Sequence, residues 1–130
     1  MIIICFDIDG VICNQVEGAY EDAKPNVKMI ALINGLFDRG YRIILSTSRF
    51  MGRTRGDVAA AYRLGYDFTK HQLDDWGVKY HELHMGKPRY DIVVDDRAIF
   101  YDPDCARIEA SLQDLLGSGP LSDISKTSNS

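Results

Sequence analysis

Glutamate is scarce in this chain of 130 residues: four Glu stand against fifteen Asp. Glu settles on helix surfaces, whereas Asp competes with the backbone for hydrogen bonds and gathers at caps, turns and loops. The acids are therefore expected mainly in loops, where some can bind a cation or do chemistry. Basic residues are not in excess either: 15 Lys and Arg against 19 acids leave a net charge of −4. That excludes the broad basic face of a nucleic-acid coat or membrane-surface protein. No apolar run approaches the roughly 20 residues of a membrane span. The opening run Ile2–Phe6 is stopped by Asp7 and has no basic leader, so no signal peptide is expected. Cysteine is limited to Cys5, Cys13 and Cys105, odd in number and widely spaced, which suits a reducing compartment better than a disulfide frame. With 45% hydrophobic and 26% charged residues, the expectation is one soluble, cytoplasmic globular domain.

What is present alternates. Ile2-Ile3-Ile4-Cys5-Phe6 reads as a strand buried on both faces, as in a parallel sheet. Residues 11–24 have no sustained period and form a long excursion. Apolar residues then recur at Val27, Ile30, Ile33 and Phe37, with Gly40 as a stop. Tyr41–Leu45 is a second strand, followed by a loop through Gly52 and Gly56. A helix is predicted over 57–76, with a break possible at Gly65, and a short strand over 80–83. Asp91-Ile92-Val93-Val94 reads as a third buried strand and 105–116 as a last helix. Residues 117–130 are small, polar and aperiodic, a frayed tail. The predicted fold is α/β, a Rossmann-like three-layer sandwich around a central parallel sheet, with one domain over 1–116.

Ligands of such sheets bind beyond the carboxyl ends of the strands, and the strands expected over 2–6, 41–45 and 91–94 all end there in polar residues. Asp7-Ile8-Asp9-Gly10 follows the first. Two carboxylates one residue apart can reach one site once the backbone leaves the pleat, and Gly10 permits the tight turn. One carboxylate can attack phosphorus while the other manages a proton; a turn in which both cap backbone amides is the competing reading. Thr47 closes the second strand, where a hydroxyl and free amides can hold phosphoryl oxygens, with Ser48 beside it and Arg49 in the same loop. Lys87, in Gly86-Lys87-Pro88, is placed to neutralise charge between a carboxylate and a phosphate. Asp95-Asp96 would repel each other unless a cation compensates, and a hard divalent ion such as Mg²⁺ does so economically. Helix capping by Asp96 and pairing of Asp95 with Arg97 is the alternative.

In this order and context the motifs resemble those of the haloacid dehalogenase superfamily of Mg²⁺-dependent phosphohydrolases, across Ile2 to Ala98. The likeness is closer to the small phosphatases encoded with capsule and surface-polysaccharide genes. It rests on Thr47-Ser48-Arg49, Trp76-Gly77-Val78-Lys79-Tyr80, Gly86-Lys87-Pro88 and Asp95-Asp96-Arg97-Ala98. Val11 departs from the Thr more usual there. The resemblance implies Asp7 as nucleophile, forming an aspartyl-phosphate, and Asp9 as acid and then base. It implies Mg²⁺ on Asp7, the Asp9 carbonyl and Asp95, with Asp96 a ligand or a supporter of one, and Thr47, Ser48 and Lys87 on the phosphoryl group.

Only 37 residues separate Asp9 from Thr47, and 39 separate Thr47 from Lys87. Neither interval holds a cap domain, so the site is expected to be open, screened by residues 11–24 or by a neighbouring copy in a homo-oligomer. Arg49, Arg53, Arg55 and Arg63 lie near a single acid, Asp57. Arg49 is the better candidate to receive a second anionic group of a small phosphorylated substrate, with sugar phosphates the class considered first. A polynucleotide end-phosphatase is an alternative that the net charge disfavours. A phospho-acceptor receiver domain is another, but its acidic pair should follow the first strand and its lone Asp a middle one.

Overall fold

The computed structural model describes residues 1–117; the tail expected over 117–130 lies, apart from Gly117, outside them. Three parallel strands form the sheet in the order β1 (Ile3–Asp7), β2 (Arg42–Ser46), β3 (Glu82–His84). Ile4 pairs with Ile43 and Phe6 with Leu45, and Leu45 with Leu83. Because side chains alternate across a strand, these residues share one face, and it is the core face. Helix α1 (Val27–Asp38) supplies Ile30, Ile33 and Leu36 to it, α2 (Val58–Asp75) supplies Leu73, and α3 (Cys105–Leu116) supplies Ile108 and Leu112. Ile3 and Cys5 point to the opposite face and are exposed. The architecture is a Rossmann-like α/β domain, and no helix among the described residues is long and apolar enough to cross a membrane.

Short polar residues start the helices. Asn26 accepts from Met29 N–H at 3.2 Å, Asp57 from Ala60 N–H at 3.0 Å and Asp104 from Ala106 N–H at 3.1 Å. Each satisfies a donor that the first turn leaves orphaned, which accounts for part of the Asp surplus. The short strand begins two residues later than expected, because His81 imitates a strand residue from outside. Its N–H donates to Ile43 O at 2.9 Å, while its Nδ1 accepts from Ile43 N–H at 3.0 Å.

Two sequence expectations are corrected. Helix α2 runs unbroken through Gly65. Glycine is needed there because the ring of Phe50, itself at φ 66°, lies where a Cβ would stand. Gly65→Ala is thus expected to lower thermal stability, by roughly 1–3 kcal/mol of overpacking against about 1 kcal/mol gained in helix propensity. A melting temperature at or above that of the parent would refute the close-packing account.

Residues 91–94 form no strand: Ile92 is 85% and Val94 99% exposed. A strand needs a partner ladder for its N–H and C=O groups, and among the described residues this segment has none. Instead the Asp95 carboxylate accepts the N–H of Arg97 at 2.7 Å, a local turn that competes with extended pairing.

Candidate active site

Asp7 is the last residue of β1 and lies in register with Ser46, the last of β2. Beyond it the backbone folds tightly: Ile8 O accepts the N–H groups of Val11, Ile12 and Cys13. Gly10 stands at φ 89°, a conformation easy only for glycine. This turn takes Asp9 out of the strand and gives the two carboxylates different surroundings.

The Asp7 side chain is 38% exposed and has Lys87 Nζ 3.4 Å from Oδ2, while Oδ1 accepts the N–H of Ile8 at 2.9 Å. Burial pushes the Asp7 carboxyl up from its usual range, against the opposing pull of Lys87 and the Ile8 N–H. Burial alone would lower Lys87, but the Tyr90 hydroxyl and the Asp7 carboxylate outweigh it and hold the ammonium up. Lys87 is thus a firmly charged cation beside a carboxylate that is ionised at some cost. Its backbone is fixed as well, since Lys87 N–H donates to Thr47 O at 3.1 Å.

Thr47 is 1% exposed. Its N–H donates to His84 O at 3.0 Å and its hydroxyl oxygen accepts from the Arg49 N–H at 3.0 Å. Neither contact uses the hydroxyl proton. Ser48 is half-buried and its carbonyl accepts from Met51 N–H, so a turn carries the chain away from β2 there.

Arg49 does not stand where a substrate contact was expected. Its side chain is fully buried and grips Asp9: Nε donates to Oδ2 at 2.9 Å and Nη2 to Oδ1 at 3.0 Å. Nη1 donates to Gln72 Oε1 at 2.6 Å, and the guanidinium lies over the Tyr20 ring, 4.7 Å from its centroid. Gln72 in turn donates to Tyr20 O at 2.7 Å. A guanidinium withdrawn from water requires such pairing, and the fully buried Arg49 side chain presents no exposed N–H to an incoming anion. Gln72 and Tyr20 are members of this cluster that the sequence pattern did not single out. Arg53 donates to Gly18 O at 2.8 Å and covers the Phe50 ring, fastening the 11–24 excursion to the loop after β2. Arg55 and Arg63 are exposed.

Cys13 completes the surroundings of Asp9. Its Sγ lies 3.4 Å from Asp9 Oδ1, and its thiol is pushed up to about 12 by burial and by the Asp9 charge, so it acts as a neutral donor and not as a nucleophile.

Asp95 and Asp96 are exposed. Among the described residues, no three His, Cys, Asp or Glu side chains converge as a cation would require. Asp7 faces Lys87 and the Asp9 carboxylate faces Arg49. The carboxylate chemistry suits Mg²⁺, but this arrangement does not assemble the set.

The sequence matches no protein-family model and no curated protein. Among solved structures, a Vibrio cholerae protein superposes over 98% of this chain and 99% of its own, with a TM-score of 0.75 and 21% identity. The α/β fold is thus shared with that protein. Two structures of the Pnkp1/Rnl/Hen1 complex, one described as an RNA repair complex, match 86% of this chain with TM-scores of 0.46 and 0.48 and identities of 19% and 20%. The match spans only 30% and 33% of those chains.

Proposed function

We propose that this protein is a phosphohydrolase of the haloacid dehalogenase type, working through an aspartyl-phosphate on Asp7 and acting on a phosphorylated metabolite, with sugar phosphates as the first candidates. One observation carries the reading: a charged lysine 3.4 Å from a half-exposed carboxylate at the carboxyl end of a parallel sheet. A carboxylate repels a phosphate dianion, and a cation held between them removes that barrier to attack.

In the proposed reaction an oxygen of Asp7 attacks phosphorus. The bond to the leaving oxygen breaks, and that oxygen takes a proton from Asp9. Water then attacks the phosphorus of the aspartyl-phosphate and gives its proton to Asp9. The bond to Asp7 breaks, inorganic phosphate leaves and the carboxylate is restored. Thr47, Ser48 and Lys87 hold the phosphoryl oxygens, as suits a reaction governed by positioning and charge stabilisation. Mg²⁺, with Asp95 and Asp96 among its ligands, belongs to this proposal through the sequence resemblance alone, and no step above is routed through it.

The test is continuous phosphate release over sugar phosphates, nucleotides, small phospho-acids, pyrophosphate and a phosphorylated oligonucleotide. Steady turnover of at least one small phosphate ester is expected, lost after EDTA treatment and restored by MgCl₂. Uptake of a single phosphoryl group without turnover would instead mark a phospho-acceptor domain, and release from the oligonucleotide alone an end-phosphatase. Activity that survives EDTA would remove the metal from the proposal.

A further inference from the structure

An ionised carboxylate offers about four acceptor positions, two on each oxygen. On Asp9, Oδ1 receives Arg49 Nη2 at 3.0 Å and lies 3.4 Å from the Cys13 thiol, whereas Oδ2 receives only Arg49 Nε at 2.9 Å. The Asp9 side chain is 15% exposed and that of Arg49 0%, so the fork is made from the protein side while part of Asp9 stays open to solvent. The fork is itself braced by Gln72 from α2 and by the Tyr20 ring from the excursion.

We infer that Arg49 is a positioning residue for Asp9: with the Cys13 thiol it fills Oδ1, and with Nε it takes one position of Oδ2, leaving the second lone pair of Oδ2 as the place where the catalytic proton is carried. The inference rests on the phosphohydrolase reading and deepens it, since it assigns proton transfer to one atom. It replaces the role of substrate contact that the sequence suggested for Arg49. A lysine cannot reproduce the arrangement, because it offers a point charge and no planar fork; in Arg49→Lys the carboxylate is free to turn and either oxygen can take the proton.

Proton delivery to the leaving oxygen matters most when that oxygen leaves poorly. The test therefore compares an alkyl phosphate with 4-nitrophenyl phosphate in wild type, Arg49→Lys and Gln72→Leu. The last removes the Nη1 brace without touching Asp9, and it stands in if Arg49→Lys does not fold by circular dichroism. General acid–base catalysis contributes about 10²–10⁴-fold. For Arg49→Lys, kcat on the alkyl ester should fall by at least about 30-fold, part of that contribution, and on the aryl ester only a few-fold, with KM changed less than about twofold on both. Gln72→Leu should show the same asymmetry, more weakly. Equal losses on the two esters would reduce Arg49 to a structural role, and a raised KM with kcat intact would restore it as a substrate contact; both overturn the inference while the phosphohydrolase reading stands. The alkyl ester is chosen from those the wild type turns over; a folded wild type that releases phosphate from no member of the panel overturns both.

Discussion

Asp7→Asn is expected to abolish phosphate release, by at least about 10³-fold as for loss of a covalent nucleophile, without lowering the melting temperature at neutral pH. The two halves of this expectation have one cause. The Asp7 carboxyl is held above its ordinary value chiefly by burial, so the folded state favours its protonated form. A group shifted in that direction supports folding while protonated, and that support is lost as pH rises through the folded value. At neutral pH the ionised side chain is therefore carried at a cost, which a neutral amide of the same shape does not incur. The measurements are steady-state phosphate release and thermal unfolding of the same preparations. Activity retained in Asp7→Asn would sink the nucleophile assignment; a clear drop in melting temperature would show that the Lys87 contact outweighs the burial.

The sheet was legible because it is built from short runs of apolar residues, each closed by a polar one. Ile2–Phe6 ending at Asp7 and Tyr41–Leu45 ending at Ser46 need only local pattern and length to be recognised, and they put Asp7 and Thr47 at neighbouring strand ends. Asp91–Val94 has the same local pattern and is exposed instead. A short apolar run states a preference for burial without naming the ladder that would satisfy it, and Ile92 and Val94 stay exposed. Gly65 was misread for a similar reason. Glycine inside a helical pattern resembles a break, whereas its cause, the Phe50 ring, is fifteen residues away in the chain.

Arg49 shows the limit most clearly. Its neighbours in sequence place it beside Thr47, and its backbone stands there, donating to Thr47 Oγ1. Its side chain turns inward to Asp9, forty residues earlier, and to Gln72 on α2. No periodicity records such a pairing, because its partners belong to three separate elements that meet only when the sheet and helices have packed. The surplus of arginines in 49–63 was a poor guide for the same reason: the one nearest the site is buried, and Arg53 serves to tie down the excursion.

Lys87→Met is expected to reduce kcat by about 10²–10³-fold, the scale of removing one group that stabilises developing charge, while the protein stays folded. Methionine keeps an unbranched stem of similar length, so the packing beneath Tyr90 is retained and the ammonium alone is deleted. Lys87→Arg should recover only part of the loss: its charge is right, but a planar fork does not reproduce a point charge 3.4 Å from Asp7 Oδ2. A second consequence separates this role from simple substrate attraction. Lys87 opposes the upward push that burial exerts on Asp7, so without it the Asp7 carboxyl moves further up. Attack on phosphorus needs the ionised form; the acidic limb of the pH–kcat/KM profile should therefore shift to higher pH in Lys87→Met. A variant with an unshifted limb and a raised KM would make Lys87 a substrate anchor only, and one within about threefold of wild type in kcat/KM, less than a single lost charge contact costs, would remove the observation on which the proposed function rests.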